Sequence, residues 1–138
     1  MSDLNQPDII VIAEDSPPNR RILEHLLNKL GFAVVACEDG QEAWAKLNYL
    51  PPGRVVAVIS DIMMPNLDGI QLLKLVRESA AMKKMPFVLV TAVSEREYIS
   101  QAIDLQVNGY ILKPVTFQRV TEKLQELFPQ KKFPKLVG

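Results

Sequence analysis

The sequence predicts an α/β fold: a (βα)5 domain whose doubly wound, parallel five-stranded sheet carries helices on both faces. Five short apolar runs alternate along the chain with five longer amphipathic segments. That alternation favours parallel strands joined by right-handed helical crossovers. The most hydrophobic run, residues 55–60, is β-branched and unbroken, which is typical of a strand at the centre of such a sheet.

The first strand–helix pair has clear boundaries. Residues 8–13 are largely apolar, as in a strand buried on both faces. Residues 18–30 predict a helix, with Ser16 as the candidate N-cap, prolines in its first turn and Gly31 at its end. Five side chains would form its inward face: Ile22, Leu23, Leu26, Leu27 and Leu30.

The remaining elements continue the same alternation. Strands are predicted over residues 33–37, 55–60, 87–91 and 109–112, and helices over residues 41–50, 68–79, 94–106 and 116–128. The Pro-Pro-Gly segment 51–53 ends the second helix, and Asp68 is the candidate cap of the third. In the fourth helix, Ile99, Ala102 and Ile103 would face the sheet.

Composition indicates one globular domain in a reducing compartment. Of the 138 residues 48% are apolar, and the 16 basic and 16 acidic side chains cancel, so no overall field favours nucleic acid or an anionic membrane. The amino terminus lacks the pattern of a signal peptide, and no apolar run is long enough to cross a bilayer. Cys37 is the single cysteine, which excludes an internal disulfide and favours a cytoplasmic location. We predict a domain over residues 8–128 and a basic tail over residues 129–138, either a frayed end or the start of a linker.

Four of the predicted strands end on charged or hydroxyl-bearing residues. Glu14 and Asp15 follow the first strand, Asp61 follows the central strand, Thr91 ends the fourth, and Lys113 follows the last. Because the C-terminal ends of parallel strands lie on one edge of a sheet, these side chains should meet there. Three carboxylates, a hydroxyl and an ammonium can together hold a divalent metal ion and a phosphoryl group.

A purely structural role explains some of these carboxylates better than others. Glu14 and Asp15 repel each other unless a cation such as Mg²⁺ neutralises them. Asp15 alone could instead be a solvated residue at the start of a loop or a helix N-cap. Asp61 follows a rigid buried strand and is not needed as a helix cap, because Asp68 suits that role better. A carboxylate held there beside a metal ion can attack phosphorus and form an aspartyl phosphate.

Thr91 and Lys113 are ordinary residues when each is taken singly. A lone threonine at a strand end is usually a β-branched strand residue, and a lone lysine is usually a solvated surface side chain. Pro114 restricts the backbone at Lys113, and a cis bond between them would direct the lysine over the sheet edge. The combination of all these residues at the strand ends of one chain is far more specific than any one of them.

Four motifs contain these strand-end residues. They are Ile-Ala-Glu-Asp at 12–15, Asp-Ile-Met-Met-Pro-Asn-Leu-Asp-Gly at 61–69, Val-Thr-Ala at 90–92 and Tyr-Ile-Leu-Lys-Pro at 110–114. With these motifs the chain resembles the receiver domains of two-component response regulators, among them the chemotaxis regulators, over about residues 8–128. The block that begins at Asp61 is highly specific, and the order and spacing of the others agree. The resemblance implies a flavodoxin-like sheet with strand order 2-1-3-4-5.

The resemblance also implies a role for each site residue. Asp61 would be the phosphoacceptor, and Mg²⁺ would be held by Glu14, Asp15, Asp61 and the backbone carbonyl of Met63. Thr91 and Lys113 would bind phosphoryl oxygens, and Thr91 and Tyr110 would form a switch in which the aromatic ring turns inward on activation. Such a domain is a phosphoacceptor that promotes its own phosphorylation and dephosphorylation, not an enzyme acting on a separate substrate.

The implied partners follow from that role. A histidine kinase or histidine phosphotransfer protein would donate the phosphoryl group, docking on the helix over residues 18–30 and the loops around Asp61. His25 lies on that helix without an activating partner and is interpreted as a surface residue. Output would pass to an unknown domain or partner protein through the face built by the fourth helix, the last strand and the last helix, which could also support a homodimer. No direct contact with nucleic acid or membrane is expected.

Three features depart from the usual family pattern. Glu14 stands where many members have Asp, and its longer side chain can reach a metal ion through water. Gln106 replaces the glycine that usually ends the fourth helix, and a non-glycine residue is costly in a left-handed cap. Met63 and Val93, which in receivers flank the path of the attacking water, are both apolar. Because neither can orient a water molecule, we predict a long-lived acyl phosphate.

Three other functions use related features. A phosphatase of the haloacid dehalogenase type needs an acid two residues after its nucleophile, where this chain has Met63. A flavin carrier of the same topology needs a phosphate-binding loop after the first strand, where Glu14 and Asp15 would repel phosphate. A pseudo-receiver, which binds partners without being phosphorylated, usually lacks one of the key residues, whereas here all are present.

Overall fold

The computed structural model, which describes residues 6–51 and 53–133, has the predicted doubly wound architecture. Its five parallel strands lie in the order β2-β1-β3-β4-β5. The strands are β1 Ile9–Ala13, β2 Ala33–Cys37, β3 Val55–Asp61, β4 Phe87–Thr91 and β5 Gly109–Leu112. The helices are α1 Pro17–Lys29, α2 Gly40–Tyr49, α3 Gly69–Glu78, α4 Ile99–Asp104 and α5 Phe117–Leu127, with a 3-10 segment at Val93–Tyr98 between β4 and α4.

Helices cover both faces of the sheet, so the central strands are largely buried. Alternate residues of β1 enter different apolar layers, because successive side chains of a strand point to opposite faces. Ile10 and Ile12 pack in the layer that contains residues of α1 and α5. Val11 and Ala13 pack in the layer that contains residues of α2, α3 and α4. None of the helices in the described part of the chain combines the length and apolarity needed to cross a membrane.

Local signals in the sequence set several of the helix ends. The Ser16 hydroxyl accepts a hydrogen bond from the Asn19 backbone amide and caps α1, which ends before Gly31 at a φ of 97°. At α3, the Asp68 carboxylate accepts a bond from the Gln71 amide and the Gln71 side chain accepts one from the Asp68 amide. These reciprocal bonds form a capping box. Asp68 therefore caps α3, as predicted, and Asp61 is not needed for that task.

Two side chains predicted to face the core lie outside it. Ile22 is 47% exposed and Ile103 is 63% exposed. The buried stripe of α1 runs through Leu23 and Leu27, and Ile22 lies about 100° around the helix from Leu23. In α4, Ala102 is the buried residue, so the next position in sequence points away from the sheet.

The predicted continuous helix over residues 94–106 is wrong. The chain instead forms the 3-10 segment Val93–Tyr98, with a non-helical Glu95 inside it, and the six-residue helix α4. The 3-10 segment buries no residue, so apolar packing does not force it into a regular helix. Gln106 takes a left-handed conformation with a φ of 60°, where a glycine would be less strained. Arg77 donates a hydrogen bond to the Gln106 carbonyl and so supports that costly turn.

The described part of the C-terminal tail packs against the domain. The Phe128 and Phe133 rings each lie 6.0 Å from the Phe32 ring, measured between centroids. The Lys131 ammonium lies 4.9 Å from the centroid of the same Phe32 ring, and the Lys131 carbonyl accepts a bond from Gln125. Residues up to 133 are thus held to the domain, and the rest of the predicted tail, residues 134–138, lies outside the described residues.

Candidate functional site

Sheet register brings the predicted site residues to one edge. Ala13 at the end of β1 pairs with Ser60, so Glu14 lies beside the position of Asp61. Asp61 pairs with Val90, the residue before Thr91. Thr91 in turn pairs with Leu112, the residue before Lys113. The residues that the sequence placed at strand ends therefore occupy neighbouring positions along the C-terminal edge.

Three carboxylates form a compact cluster at this edge. One oxygen each from Glu14, Asp15 and Asp61 lies within 4.8 Å of the others. Glu14 and Asp61 are buried, whereas Asp15 is exposed. A set of carboxylate oxygens, two on rigid strand ends and one open to solvent, matches the hard oxygen ligands that Mg²⁺ prefers while it keeps several waters. The residues present therefore fit a magnesium ion.

Glu14 is held in an unfavourable environment for its charge. Its carboxylate accepts a bond of 3.1 Å from the Ser16 amide, and its carbonyl accepts one of 2.8 Å from the Arg20 guanidinium. Burial, together with the nearby negative charge of Asp61, raises the pKa of Glu14 to about 7, although the Ser16 amide works in the opposite direction. A cation bound among these oxygens would favour the charged form of Glu14.

Lys113 supplies the positive charge of the site. Its Nζ lies 3.1 Å from both Oδ1 and Oδ2 of Asp61, and Oδ1 also accepts a bond of 3.0 Å from the Ile62 amide. Burial disfavours the Lys113 ammonium, but the carboxylates of Asp61 and Glu14 outweigh it and raise its pKa. Lys113 therefore stays charged and cannot serve as a general base near neutral pH. The peptide bond between Lys113 and Pro114 is cis.

The four other predicted site residues lie around this centre. Thr91 is buried, and its hydroxyl donates to the Ala92 carbonyl at 3.1 Å. Tyr110 is 50% exposed and, with Thr91 and Val93, lines an open pocket of about 480 Å³. Met63 and Val93 are 48% and 62% exposed. Neither can orient a water by hydrogen bonding, since both side chains are apolar.

Comparison with known proteins gives the family. Residues 10–125 match the family model described as the response regulator receiver domain. The chain belongs to that family. This assignment to the receiver domains favours that family over the haloacid dehalogenases and the flavin carriers, the two alternatives considered from the sequence.

Similar proteins include chemotaxis regulators. The chain is 38% identical over 120 residues to the chemotaxis protein CheY of Pseudomonas aeruginosa, covering 86% of this chain and 94% of that protein. It is 37% identical over 125 residues to CheY-3 of Vibrio cholerae, covering 91% and 95%.

Solved structures with a similar fold include the response regulator CheY4 of Vibrio cholerae, with a TM-score of 0.80 and 26% identity over 88% of this chain and 99% of that one. The receiver domain of a Pseudomonas aeruginosa sensor histidine kinase, solved with a magnesium ion coordinated in its active-site cleft, has a TM-score of 0.79. It is 24% identical and covers 90% of this chain and 99% of that one.

Close backbone contacts fix the loop that follows Asp61 in this receiver domain. The Gly69 amide donates to the Ile62 carbonyl at 2.7 Å, and a Cβ at Gly69 would collide with the Asp61 carbonyl oxygen. Further along, Asn66 has a φ of 70° and its side-chain amide donates to the Asp39 carboxylate at 2.6 Å. The loop that carries Met63 is therefore anchored at both ends.

Two neighbours of the site were not predicted from the sequence. Arg20 supports the Glu14 carbonyl from the first turns of α1, and its spacing from the acid pair matches no motif. Glu95 accepts a bond of 2.7 Å from the Ala92 amide. A glutamate three residues after a cap position is half of a capping box, but Ala92 lacks the hydroxyl that makes the pattern visible in a sequence.

Proposed function

We propose that this receiver domain accepts a phosphoryl group on Asp61 and thereby regulates a partner or output domain. The observation that carries the proposal is the contact between Lys113 and both oxygens of Asp61, beside two further carboxylates. In the transfer, an Asp61 oxygen forms a bond to phosphorus while the bond between phosphorus and a histidine nitrogen of the donor breaks. The imidazole nitrogen keeps the electron pair and is neutralised by a proton from solvent.

Each residue of the site would have a separate role in that phosphoryl transfer. Glu14, Asp15, Asp61 and the Met63 backbone carbonyl would hold Mg²⁺, which when bound neutralises charge on the phosphoryl oxygens. Lys113 would supply a second positive charge and pair with one phosphoryl oxygen. Thr91 would rotate its hydroxyl away from the Ala92 carbonyl, its acceptor in this structure, and donate to another phosphoryl oxygen.

The switch would follow from the movement of Thr91. Tyr110 is half-exposed and lines the same pocket as Thr91, so its ring has a path inward when the threonine moves. The surface formed by α4, β5 and α5 would then change its packing, which alters its affinity for a partner, an output domain or a second copy of the chain. A local change of charge is thus converted into a change of shape.

The donor would dock beside α1. Ile22 is exposed on this helix and lines an open pocket of about 460 Å³ together with Glu14, Lys113 and Pro114. An apolar side chain next to the acceptor site is suited to contact a histidine kinase or histidine phosphotransfer protein while its phosphohistidine reaches Asp61. We place this exchange in the cytoplasm, where the single buried thiol of Cys37 stays reduced.

Intact mass after incubation with small phosphoryl donors tests the proposal. Acetyl phosphate and phosphoramidate, whose N–P bond resembles that of phosphohistidine, are each added with Mg²⁺. We expect a gain of about 80 Da, one phosphoryl group. The Asp61→Ala variant and an EDTA control should show no gain. Folded, Mg²⁺-binding protein that gains no mass from either donor would contradict the proposal and favour a phosphorylation-independent binding module.

A further inference from the structure

We propose that Glu95 is a gate on the phosphoryl site: its carboxylate holds the Ala92 amide as an internal anion and must leave when Asp61 is phosphorylated. Glu95 lies outside the set of residues that the sequence assigned to the site. The inference rests on the proposed function, and the experiment below separates the failure of one from the failure of the other.

Glu95 is bound directly beside the site. Its Oε1 accepts a hydrogen bond of 2.7 Å from the backbone amide of Ala92, the residue that follows Thr91 at the end of β4. A carboxylate on an amide donor forms a stronger bond than a neutral acceptor does. The backbone amide of the residue that follows Thr91 is therefore already occupied by a negative group.

The same carboxylate also acts on the ammonium of the site. Glu95 is one of the acids whose charge raises the pKa of Lys113, after the larger effects of Asp61 and Glu14. The carboxylates of Asp61, Glu14 and Glu95 thus all favour the charged form of Lys113. Glu95 belongs to the short 3-10 segment, whereas Asp61 ends β3 and Glu14 directly follows β1, so the Glu95 carboxylate is the one held by the least regular element.

Phosphorylation would displace Glu95 by charge. A phosphoryl group on Asp61 adds nearly two negative charges at neutral pH. It repels the Glu95 carboxylate and competes with it for the Ala92 amide. The wild-type protein therefore has to break a charged hydrogen bond during activation, which slows formation of the phosphorylated state.

Release of Glu95 would also free the polypeptide that leads into α4. The 3-10 segment Val93–Tyr98 buries no residue, and the backbone of Glu95 itself is non-helical, with φ of −104° and ψ of 16°. The side-chain bond to the Ala92 amide is one of two bonds between these residues, the other running from the Glu95 amide to the Ala92 carbonyl at 2.9 Å. Loss of the side-chain bond links a charge change at Asp61 to a change in the α4 end of the output surface.

A simple helix cap is the competing explanation of the same bond. A capping side chain needs only an acceptor oxygen, whereas the gate needs a negative charge. Glu95→Gln keeps the acceptor oxygen and removes the charge, and Glu95→Ala removes both. Glu97, an exposed acid of the same 3-10 segment, gives a matched control in Glu97→Gln.

The experiment measures the rate of phosphorylation by acetyl phosphate with Mg²⁺ and the thermal stability of each variant. In the transfer, the acetyl oxygen–phosphorus bond breaks, the Asp61 oxygen–phosphorus bond forms, and acetate leaves. We expect both Glu95 variants to react faster than wild type, on the order of three- to ten-fold, as one like charge near the site is removed. Glu97→Gln should react at the wild-type rate. The Ala92 amide resonance should move on phosphorylation of wild type and should already be moved in Glu95→Ala.

Each result bears on the gate. If Glu95→Gln reacts at the wild-type rate, or if Glu97→Gln is accelerated as much as Glu95→Gln, the gate is wrong and the bond is a cap or a general charge effect. If wild type is phosphorylated and its Ala92 resonance stays in place, Glu95 does not leave, and the gate is again wrong. If wild type takes no phosphoryl group from either small donor, the proposed function itself fails and the gate fails with it.

Discussion

Lys113 bridges the carboxylate of Asp61, with Nζ 3.1 Å from Oδ1 and 3.1 Å from Oδ2. The Lys113 ammonium therefore partly balances the negative charge at the C-terminal edge of the sheet. There, one carboxylate oxygen each from Glu14, Asp15 and Asp61 lies within 4.8 Å of the others. An ammonium in this position should promote phosphoryl transfer, because it neutralises charge on the phosphoryl oxygens. The same ammonium should weaken Mg²⁺ binding, because it competes with the metal ion for the carboxylates.

Replacing Lys113 by Gln tests that opposition. The rate of phosphorylation should fall by about 100-fold, as expected when one preorganised charge is removed from a transfer site. Affinity for Mg²⁺, measured by calorimetry in the absence of phosphoryl donor, should increase because the competing ammonium is gone. Lys84→Gln, which changes an exposed lysine elsewhere, is the control. Weaker Mg²⁺ binding in Lys113→Gln would show that the lysine does not compete with the metal ion.

The lifetime of the phosphorylated form should depend on Met63 and Val93. The double variant Met63→Asn, Val93→Glu introduces side chains that can orient an attacking water, so its acyl phosphate should decay faster by about ten-fold or more. Both positions are exposed, and the free energy of unfolding should change little, by about 0.5 kcal/mol or less. An unchanged rate of phosphate release in the folded double variant would show that these side chains do not shield the phosphoryl group.

Arg77 should be important for stability although no motif marks it. Its guanidinium donates to five acceptors: the carbonyls of Leu105, Lys83, Met85 and Gln106 and the side-chain oxygen of Asn108. Arg77→Ala should lower the free energy of unfolding by about 2–4 kcal/mol, because several backbone carbonyls lose a charged donor. Arg77→Lys should recover little of it, since an ammonium cannot span the same acceptors. Urea unfolding measures the free energy of unfolding of both variants. Wild-type stability in Arg77→Lys would show that the planar guanidinium is not required.

Cys37 should be an unreactive thiol in the folded protein. Burial raises its pKa to about 12, so the thiolate that reacts with iodoacetamide is scarce at pH 8 to 9. A raised pKa in the folded state adds stability that is fully present below the unfolded pKa of about 8.5 and is lost as pH rises toward 12. Alkylation at pH 8.5 should therefore be at least about 100-fold slower than in denaturant. Equal rates would show that the thiol is accessible and ionises normally.

The sequence predicts the sheet and the site edge well because both depend on strong local patterns. β1 and β4 are continuous apolar runs, and a parallel sheet places the residues at their ends on one edge. The positions of Glu14, Asp61 and Thr91 in the sequence are therefore enough to bring these three residues together. Asp68 is recognisable as a cap from its position before an apolar helix, which leaves Asp61 without a structural role.

Other features depend on contacts that no local pattern encodes. No residue of the 3-10 segment is fully buried, and Tyr98 packs only in part against the core, so the packing does not require a regular helix there. The apolar pattern correctly places Ala102 on the inward face of α4, but it does not show that the neighbouring Ile103 is exposed. Arg77 lies 28 and 29 residues before the carbonyls of Leu105 and Gln106 that it binds, so its role is a tertiary one. The packing of Phe133 on Phe32 likewise joins distant parts of the chain.

The most direct test of the central claim is to locate the modified residue. Protein treated with acetyl phosphate and Mg²⁺ is reduced with borohydride, which converts an aspartyl phosphate to homoserine, and is then digested and sequenced by mass spectrometry. We predict homoserine at position 61 and unmodified Asp15 and Glu14. Conversion at another carboxylate, or phosphorylated protein without any conversion at position 61, would contradict the assignment of Asp61 as the phosphoacceptor.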